Sequence, residues 1–229
     1  CIMNTIDVNQ TVGTLVAAIP KAGELFMEYK IDFCCGGDRP LADVLKESGI
    51  DEGTIIARLE EIRRAQESNT HQTDFRKMTI VELIDYIENT HHVFVKQTLP
   101  VLGDLSTTVL RAHGPNHEEL FQVHKLFNSL KTELEEHLIK EEVMLFPKIR
   151  TFAGDAAAGE SEEIGELMDE TREEHETAGA ALKELRKITK DYTVPADGCP
   201  TYRLTFEELQ DLESDLFQHI HLENNVLFP

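Results

Sequence analysis

The chain has 229 residues, of which 41% are hydrophobic, and this suffices for one packed domain of about 150 residues plus a smaller one. Its 43 acidic and 22 basic residues give a formal net charge of −21, which argues against a nucleic-acid partner because phosphate contacts need clustered Lys and Arg. No stretch approaches the roughly 18 uninterrupted apolar residues of a membrane span, and no basic-plus-apolar leader is visible, so we expect no membrane partner.

The chain has four cysteines, which are Cys1, Cys34, Cys35 and Cys199. Cys34 and Cys35 are adjacent, and neighbouring cysteines rarely bond to each other in a relaxed backbone. The spacing therefore predicts no disulfide framework. We expect a cytoplasmic protein, because a reducing compartment keeps thiols free.

Residues 1–66 are expected to form a small helical domain. The segments TVGTLVAAIP (11–20) and KAGELFMEYK (21–30) are amphipathic, and CCGGDRP (34–40) follows them with two glycines and a proline. Two further helices are predicted in PLADVLKESGI (40–50) and DEGTIIARLEEIRRAQ (51–66), with Asp51 as the N-cap of the second. The polar stretch 67–78 is interpreted as a linker.

Residues 79–229 are expected to form four long helices, and the whole protein is predicted to be all-α. Helix A covers about 79–100 and is predicted to stop at Pro100, and helix B covers about 116–149. A loop at 152–161 leads to helix C, about 161–190, and a loop at 191–200 leads to helix D, which runs from about 203 to the end. Short loops between long amphipathic helices favour an up-down four-helix bundle.

One eleven-residue phrase occurs twice in this region, as HLIKEEVMLFP (137–147) and HIHLENNVLFP (219–229). Residues four apart lie one above the other on a helix, so His137 with Glu141, and His219 with Glu223, can each direct a nitrogen and a carboxylate to one point. Both pairs continue an apolar stripe of their helix and are therefore predicted to face the bundle interior. A buried unpaired carboxylate is very unfavourable, and a metal ion is one standard remedy.

The other two helices each add one histidine. His92 precedes His137 by 45 residues, and His175 precedes His219 by 44, so the bundle resembles two hairpins of similar design. A single histidine on an apolar stripe is usually a hydrogen-bonded core residue, but the duplicated pairs favour a metal site. Four imidazoles with two carboxylates that can bridge suit a pair of iron ions.

The twin H-x-x-x-E-x-x-x-LFP phrases, with single histidines on the other helices, resemble the hemerythrin-like di-iron domain. The stretch DFCCGG (32–37) resembles the hallmark of the short domain that precedes it in the RIC family, the bacterial proteins for repair of iron centres. The resemblance covers essentially the whole chain and implies two iron ions bridged by oxygen and by the two glutamates. The ligands that it implies are His92, His113, His137, Glu141, His175, His219 and Glu223. His91 remains the alternative to His92, because it continues the better apolar stripe, and His117 remains the alternative to His113.

The resemblance also implies a role for Cys34 and Cys35, which would transiently handle iron, nitric oxide or a client's thiols. The expected function is repair of iron–sulfur clusters damaged by oxidative and nitrosative stress, by iron donation or nitric oxide removal. The expected partners are damaged iron–sulfur proteins, with nitric oxide or dioxygen as small ligands, and the resemblance adds a second copy of the chain as an option. The alternatives are a dioxygen carrier or sensor of the hemerythrin type and a di-iron reductase of nitric oxide or peroxide, and the sequence leaves open whether the protein is an enzyme.

Overall fold

The computed structural model describes residues 6–68, 74–154 and 162–229, with only the backbone at 67 and 68. All regular structure within these ranges is helical, and the only extended pairing there is an isolated bridge between Thr11 and Pro40. The prediction of an all-α protein is confirmed. Cys1, most of the loop expected at 152–161 and residues 69–73 of the expected linker lie outside the described residues.

The chain divides into two compact units, and the first comprises residues 1–79 and 217–229. Thr11 caps its first helix by accepting a hydrogen bond from the Thr14 amide, and Asp51 caps its fourth by accepting one from the Thr54 amide at 2.8 Å. The Phe33 ring lies between Phe26 and Phe217, with centroid distances of 6.4 and 5.8 Å, and forms part of the core. The helices of this unit are α1 (Val12–Ala18), α2 (Ala22–Glu28), α3 (Leu41–Ser48) and α4 (Glu52–Ser68), followed by a 3₁₀ turn at Phe75–Lys77.

The second unit comprises residues 80–216 and is a helical bundle. Its α-helices are α5 (Ile80–Ile87), α6 (Val93–His113), α7 (Glu119–Lys140), α8 (Phe146–Gly154), α9 (Glu162–Ile188) and the larger part of α10 (Pro200–Leu222). Helix α7 packs against both α6 and α9, and α5 packs against α8. The α5–α6 rod therefore runs antiparallel to the α7–α8 rod, as expected for an up-down bundle.

Helix A does not end at Pro100, so that prediction was wrong. Helix α6 continues through Pro100 to His113. A proline inside a helix removes the donor for the carbonyl four residues earlier, here that of Lys96. Pro100 is exposed, so water can bind that carbonyl, and the apolar side chains on the opposite side of the helix, such as Leu99 and Leu102, keep it packed.

The long helices are interrupted by three π-helical segments, which we call π1 (Glu88–His92), π2 (Glu141–Leu145) and π3 (Glu223–Leu227). In π2 the Phe146 amide donates to the carbonyl of Glu141, five residues earlier, and in π3 Phe228 donates to Glu223 in the same way. A proline follows each phenylalanine, and its ring crowds the carbonyl four residues before it. The repeated Leu-Phe-Pro thus explains why both phrases end in a widened turn.

None of the described helices is both long enough and apolar enough to cross a membrane.

Candidate metal centre

The carboxylate of Glu141 lies between two imidazoles in the second unit. Its Oε2 is 3.3 Å from Nε2 of His92, and its Oε1 is 3.3 Å from Nε2 of His137. Glu141 and His92 are fully buried, and His137 is 6% exposed. Each oxygen of one carboxylate therefore faces a different nitrogen, which is the arrangement of a carboxylate that bridges two metal ions.

Neither oxygen of Glu141 has a hydrogen-bond partner among the described residues. A carboxylate buried in this way is strongly unfavourable unless a cation or a hydrogen bond compensates its charge. Imidazole and carboxylate together form a donor set that divalent transition metals bind well. The residues present thus fit a metal ion on the evidence of their own chemistry.

The outer nitrogens of the two histidines are each held by a further carboxylate. Nδ1 of His137 donates to Oε2 of Glu174 at 2.6 Å, and Lys140 binds the other oxygen of Glu174 at 2.6 Å. In the same way Nδ1 of His92 lies 2.8 Å from Glu142, whose two oxygens accept from Lys96.

A carboxylate on Nδ1 fixes the proton there and leaves the Nε2 lone pair directed inward, as in most metal-ligating histidines. The hydrogen bond from His137, assisted by Lys140, lowers the pKa of Glu174 to about 2. Glu174 therefore stays ionised at neutral pH and keeps His137 in this orientation. Glu142 holds His92 in the same way. Burial raises the pKa of Glu142, but its hydrogen bonds with Lys96 and His92 outweigh burial, so the pKa is lowered overall.

His175 brings a third imidazole to the same place. Its Nε2 lies 3.2 Å from Nε2 of His137, and the ligand atoms of His137, Glu141 and His175 all lie within 4.8 Å of one another. Two imidazole nitrogens that point at each other in a buried site are typical of ligands to a shared ion.

The second His-x-x-x-Glu pair lies at the end of α10 and the start of π3. Nε2 of His219 is 3.0 Å from Oε1 of Glu223, and both side chains are buried, at 1% and 0% exposed. The i, i+4 spacing thus brings the two ligand atoms together as the sequence predicted.

His91, the alternative to His92, has a different partner. Its Nδ1 lies 2.8 Å from Asp215, and its ring packs against Tyr86. Both histidines are buried because π1 adds a residue to the turn, so that neighbours in sequence both face inward. His92 instead lies 3.3 Å from Glu141.

Both parts of the chain match known protein families. The model of the hemerythrin HHE cation binding domain matches residues 82–229. The chain belongs to the hemerythrin HHE family. Residues 8–63 match ScdA_N, a domain of unknown function (DUF542).

Similar proteins cover nearly the whole chain. The iron-sulfur cluster repair protein ScdA of Staphylococcus haemolyticus is 31% identical over 95% of both chains. The iron-sulfur cluster repair proteins YtfE of Salmonella typhimurium and of Enterobacter sp. are 32% and 34% identical, each over 96% of both chains. The expected family resemblance is confirmed, and binding of a metal ion by the hemerythrin domain accords with its buried His and Glu groups.

His113 does not lie near Glu141. It is the last residue of α6, 21 residues after His92 on the same rod, and a helix of that length spans about 30 Å. Its neighbours are His117 and Asp197, whose ligand atoms lie within 4.8 Å of its own. The family resemblance implied His113 as a ligand near the start of the second helix, whereas His113 is the last residue of α6.

The Cys-Cys turn in the first unit is organised by Asp32. One oxygen of Asp32 accepts hydrogen bonds from the amides of Cys34, Cys35 and Gly36, each at 3.1 Å. The sulfurs of Cys34 and Cys35 are 3.8 Å apart, and neither forms a disulfide. The hydrogen bond with Cys35, followed by burial, holds the pKa of Cys34 well above its ordinary value. Cys34 is therefore a neutral thiol at neutral pH and not the activated thiolate that a low pKa would give.

This turn is tied to the segment that carries Glu223. Asn225 donates to the carbonyl of Cys34 at 3.0 Å, and Nδ1 of His221 lies 3.2 Å from the carbonyl of Phe33. Both anchoring residues are two positions from Glu223. Burial lowers the pKa of His221 to about 4, so its ring is neutral and its Nδ1 donates.

Gly37 is needed in this turn for space and not for a positive φ. A Cβ at Gly37 would lie 2.5 Å from Oδ1 of Asn225 and 2.7 Å from the carbonyl of Phe33. The positive-φ residues in the described ranges include neither Gly36 nor Gly37. The close approach of Asn225 explains Gly37 instead.

Sequence reasoning missed the residues that orient the ligands. Glu142, Glu174, Lys96 and Lys140 belong to an acidic, helix-rich surface on which charged residues are usually just solvated. A usable signal existed, because Glu174 directly precedes His175 and Lys96 lies four residues after His92. Only the packing of one rod on another shows which carboxylate reaches which imidazole.

Proposed function

We propose that this protein repairs damaged iron–sulfur clusters with a two-iron centre in its hemerythrin domain, residues 79–229. The names of the similar proteins, which match over at least 95% of this chain, support repair as the function. The observation that carries the two-metal part is Glu141, whose two buried oxygens face different imidazoles. Damaged iron–sulfur proteins are the proposed clients. The cytoplasm is the proposed location, since the described cysteines Cys34, Cys35 and Cys199 form no disulfide.

The proposed ligands are four histidines and two glutamates. Glu141 is the carboxylate bridge in the first phrase, and by the repeat Glu223 has the same role in the second. His113 is left out of the set because of its distance along α6. The ligand residues are His92, His137, Glu141, His175, His219 and Glu223.

Iron is proposed over zinc because repair needs a metal that can be donated to a cluster or change its oxidation state. When bound, two irons would supply an exchangeable metal and a redox-active site for nitric oxide or peroxide. The protein's own contribution is to hold the ligands. Glu142 and Glu174 keep His92 and His137 in the correct tautomer, and the buried apolar surroundings exclude bulk water.

We propose that the N-terminal domain, residues 1–66, acts through Cys34 and Cys35. The anchoring of the Cys-Cys turn by His221 and Asn225 supports this, because these residues flank Glu223. Cys35 is partly exposed, whereas Cys34 is buried, so Cys35 is the thiol that meets a client or an incoming iron first.

Reactivation of an iron–sulfur dehydratase after nitric oxide damage tests the proposal. The wild-type protein should restore activity, and both Glu141→Gln and the double change Cys34→Ser with Cys35→Ser should abolish the restoration. Glu136→Gln, an exposed glutamate on α7, serves as the matched control and should behave as wild type. Full reactivation by the Glu141→Gln variant would contradict a role for the metal centre.

A dioxygen carrier or sensor is the second candidate, and the protonated state of Cys34 favours it, because such a protein needs no reactive thiol. The double cysteine variant separates the two functions. Loss of repair with dioxygen binding intact supports repair, whereas full retention of both supports the carrier. Formation of nitrous oxide by the reduced protein under anaerobic conditions would identify the reductase alternative.

A further inference from the structure

A second group of metal-ligand side chains lies at the end of the bundle near the α6–α7 turn. His113 ends α6, His117 lies in the turn, and Asp197 lies in the segment before α10. One ligand atom of each is within 4.8 Å of the others. Cys199 adds a thiol next to these residues. Its sulfur accepts a hydrogen bond from the Tyr202 amide at 3.4 Å, and the Tyr202 ring packs against His113 and His117 with centroid distances of 5.3 and 5.8 Å.

We propose that His113, His117, Asp197 and Cys199 form a separate binding site for one zinc ion. Two imidazoles, a carboxylate and a thiolate are each ordinary zinc ligands, and four of them complete the tetrahedral shell of a structural site. The four residues come from two chain segments about 80 residues apart, and the fold brings them to one place.

The orientation of His117 is that of a metal ligand. Its Nδ1 is 3.3 Å from Glu119, while its Nε2 lies 3.0 and 3.1 Å from the two oxygens of Asp197. A carboxylate behind one ring nitrogen leaves the other available for a metal, as in carboxylate–histidine–zinc arrangements. An ordinary ion pair would account for His117 and Asp197, but it gives no reason for a second imidazole and a thiol beside them.

The site is distinct from the centre around Glu141. Helix α6, 21 residues long, separates His113 from His92 and spans about 30 Å, so no single ion or ion pair can be shared. The two centres also differ chemically, since the proposed zinc site includes a thiolate and the other consists of nitrogen and oxygen donors.

Zinc in this position would join the α6–α7 turn to the segment before α10. That segment contains Lys190, Asp191 and Tyr192, whose positive φ values of 52 to 56° are unfavourable for residues other than glycine. A metal bond from Asp197 and Cys199 would hold the strained connection in place. We therefore expect zinc to raise the unfolding temperature, because a ligand that binds only the folded state stabilises it.

Cobalt(II) provides the decisive test, because it replaces zinc and shows a thiolate charge-transfer absorption when a cysteine is a ligand. Full-length protein should show this band with cobalt, Cys199→Ser should lose it, and Cys35→Ser should keep it as the matched thiol control. Absence of the band from the wild-type protein, or its persistence in Cys199→Ser, would overturn the proposal.

Zinc-dependent stability supplies a second readout that does not depend on cobalt. With the Glu141 centre already loaded with iron, added zinc should raise the unfolding temperature of wild type by several degrees and leave that of Asp197→Asn unchanged. Asp197 is exposed, so this variant is expected to fold. An equal zinc response in both proteins would contradict a role for Asp197, and so for the site.

Discussion

Glu141 is a completely buried carboxyl group whose two oxygens lie against imidazoles. In the metal-free protein such a side chain is a source of instability, whereas in the metal-bound protein it would act as the proposed ligand. Glu141 should therefore destabilise the metal-free protein and stabilise the metal-bound protein. A residue that merely packs in the core would affect both forms in the same direction.

Glu141→Gln is expected to lose most of its iron while gaining stability in the metal-free form. The neutral amide costs less to bury than the carboxylate, so the metal-free variant should unfold a few degrees above metal-free wild type. Metal analysis and circular dichroism melts measure the two effects, with Glu136→Gln as the exposed control. A metal-free variant that unfolds below wild type would contradict this explanation.

Glu174→Gln is expected to weaken iron binding by about 10- to 100-fold, the usual effect of removing a carboxylate behind a ligating histidine. The amide leaves His137 in place but no longer fixes the proton on Nδ1 as firmly. Competition with a chelator measures the change. Exposed Glu173→Gln, one residue earlier, should bind iron as wild type does.

The same pair gives a pH dependence in the metal-free protein. The folded-state pKa of Glu174 is about 2 against an ordinary value of 4.5, so its stabilising effect is present above pH 4.5 and is lost as the pH falls toward 2. Metal-free Glu174→Gln should therefore lose less stability than wild type across that window. Equal acid sensitivity of the two proteins in thermal melts would show that the ion pair contributes little.

The π segments coincide with ligand positions in three of the long helices. π2 and π3 each begin at a glutamate of the repeated phrase, and π1 includes His92. π-helical turns frequently occur at functional sites, because the extra residue changes which side chains face a given direction. Regular 3.6-residue periodicity therefore predicted correctly that His137 and Glu141 face inward. It could not predict that His91 and His92 are both buried, because the turn that contains them is widened.

Pro147→Ala tests whether proline causes π2. Alanine restores an amide that can donate to the carbonyl of Val143, so the turn can become α-helical, and the part of the rod before it would rotate by about 100° relative to the part after it. We expect a higher unfolding temperature in the metal-free protein together with loss of iron. Pro100→Ala, which is exposed and distant from the ligands along α6, should raise the unfolding temperature without changing the iron content. Retention of iron by both variants would show that Pro147 does not set the geometry of Glu141.

The fold and the burial of both His-x-x-x-Glu pairs could be predicted from the sequence, since they depend on local patterns. Helical periodicity identified the bundle, and the i, i+4 repeat identified His137 with Glu141 and His219 with Glu223. The environment of His113 could not be predicted, because it depends on whether a helix tolerates Pro100, which is decided by packing and solvent exposure along the whole rod. Contacts between helices, such as that of Glu174 on α9 with His137 on α7, depend on how each helix is rotated about its own axis. A single sequence does not specify that rotation.

The net charge of −21 is a property of the whole molecule and should make its stability depend on salt. Self-repulsion destabilises a compact acidic chain, and raising NaCl from about 0.01 M to about 0.5 M shortens the screening length from about 30 Å to below about 8 Å. Exposed ion pairs such as Arg39–Glu47 contribute little to stability, so their weakening does not offset the relief of repulsion. We expect the unfolding temperature to rise by several degrees with NaCl, and to rise less when exposed Glu136 and Glu173 are both changed to Gln. A fall with added salt would mean that attractive pairs outweigh the repulsion.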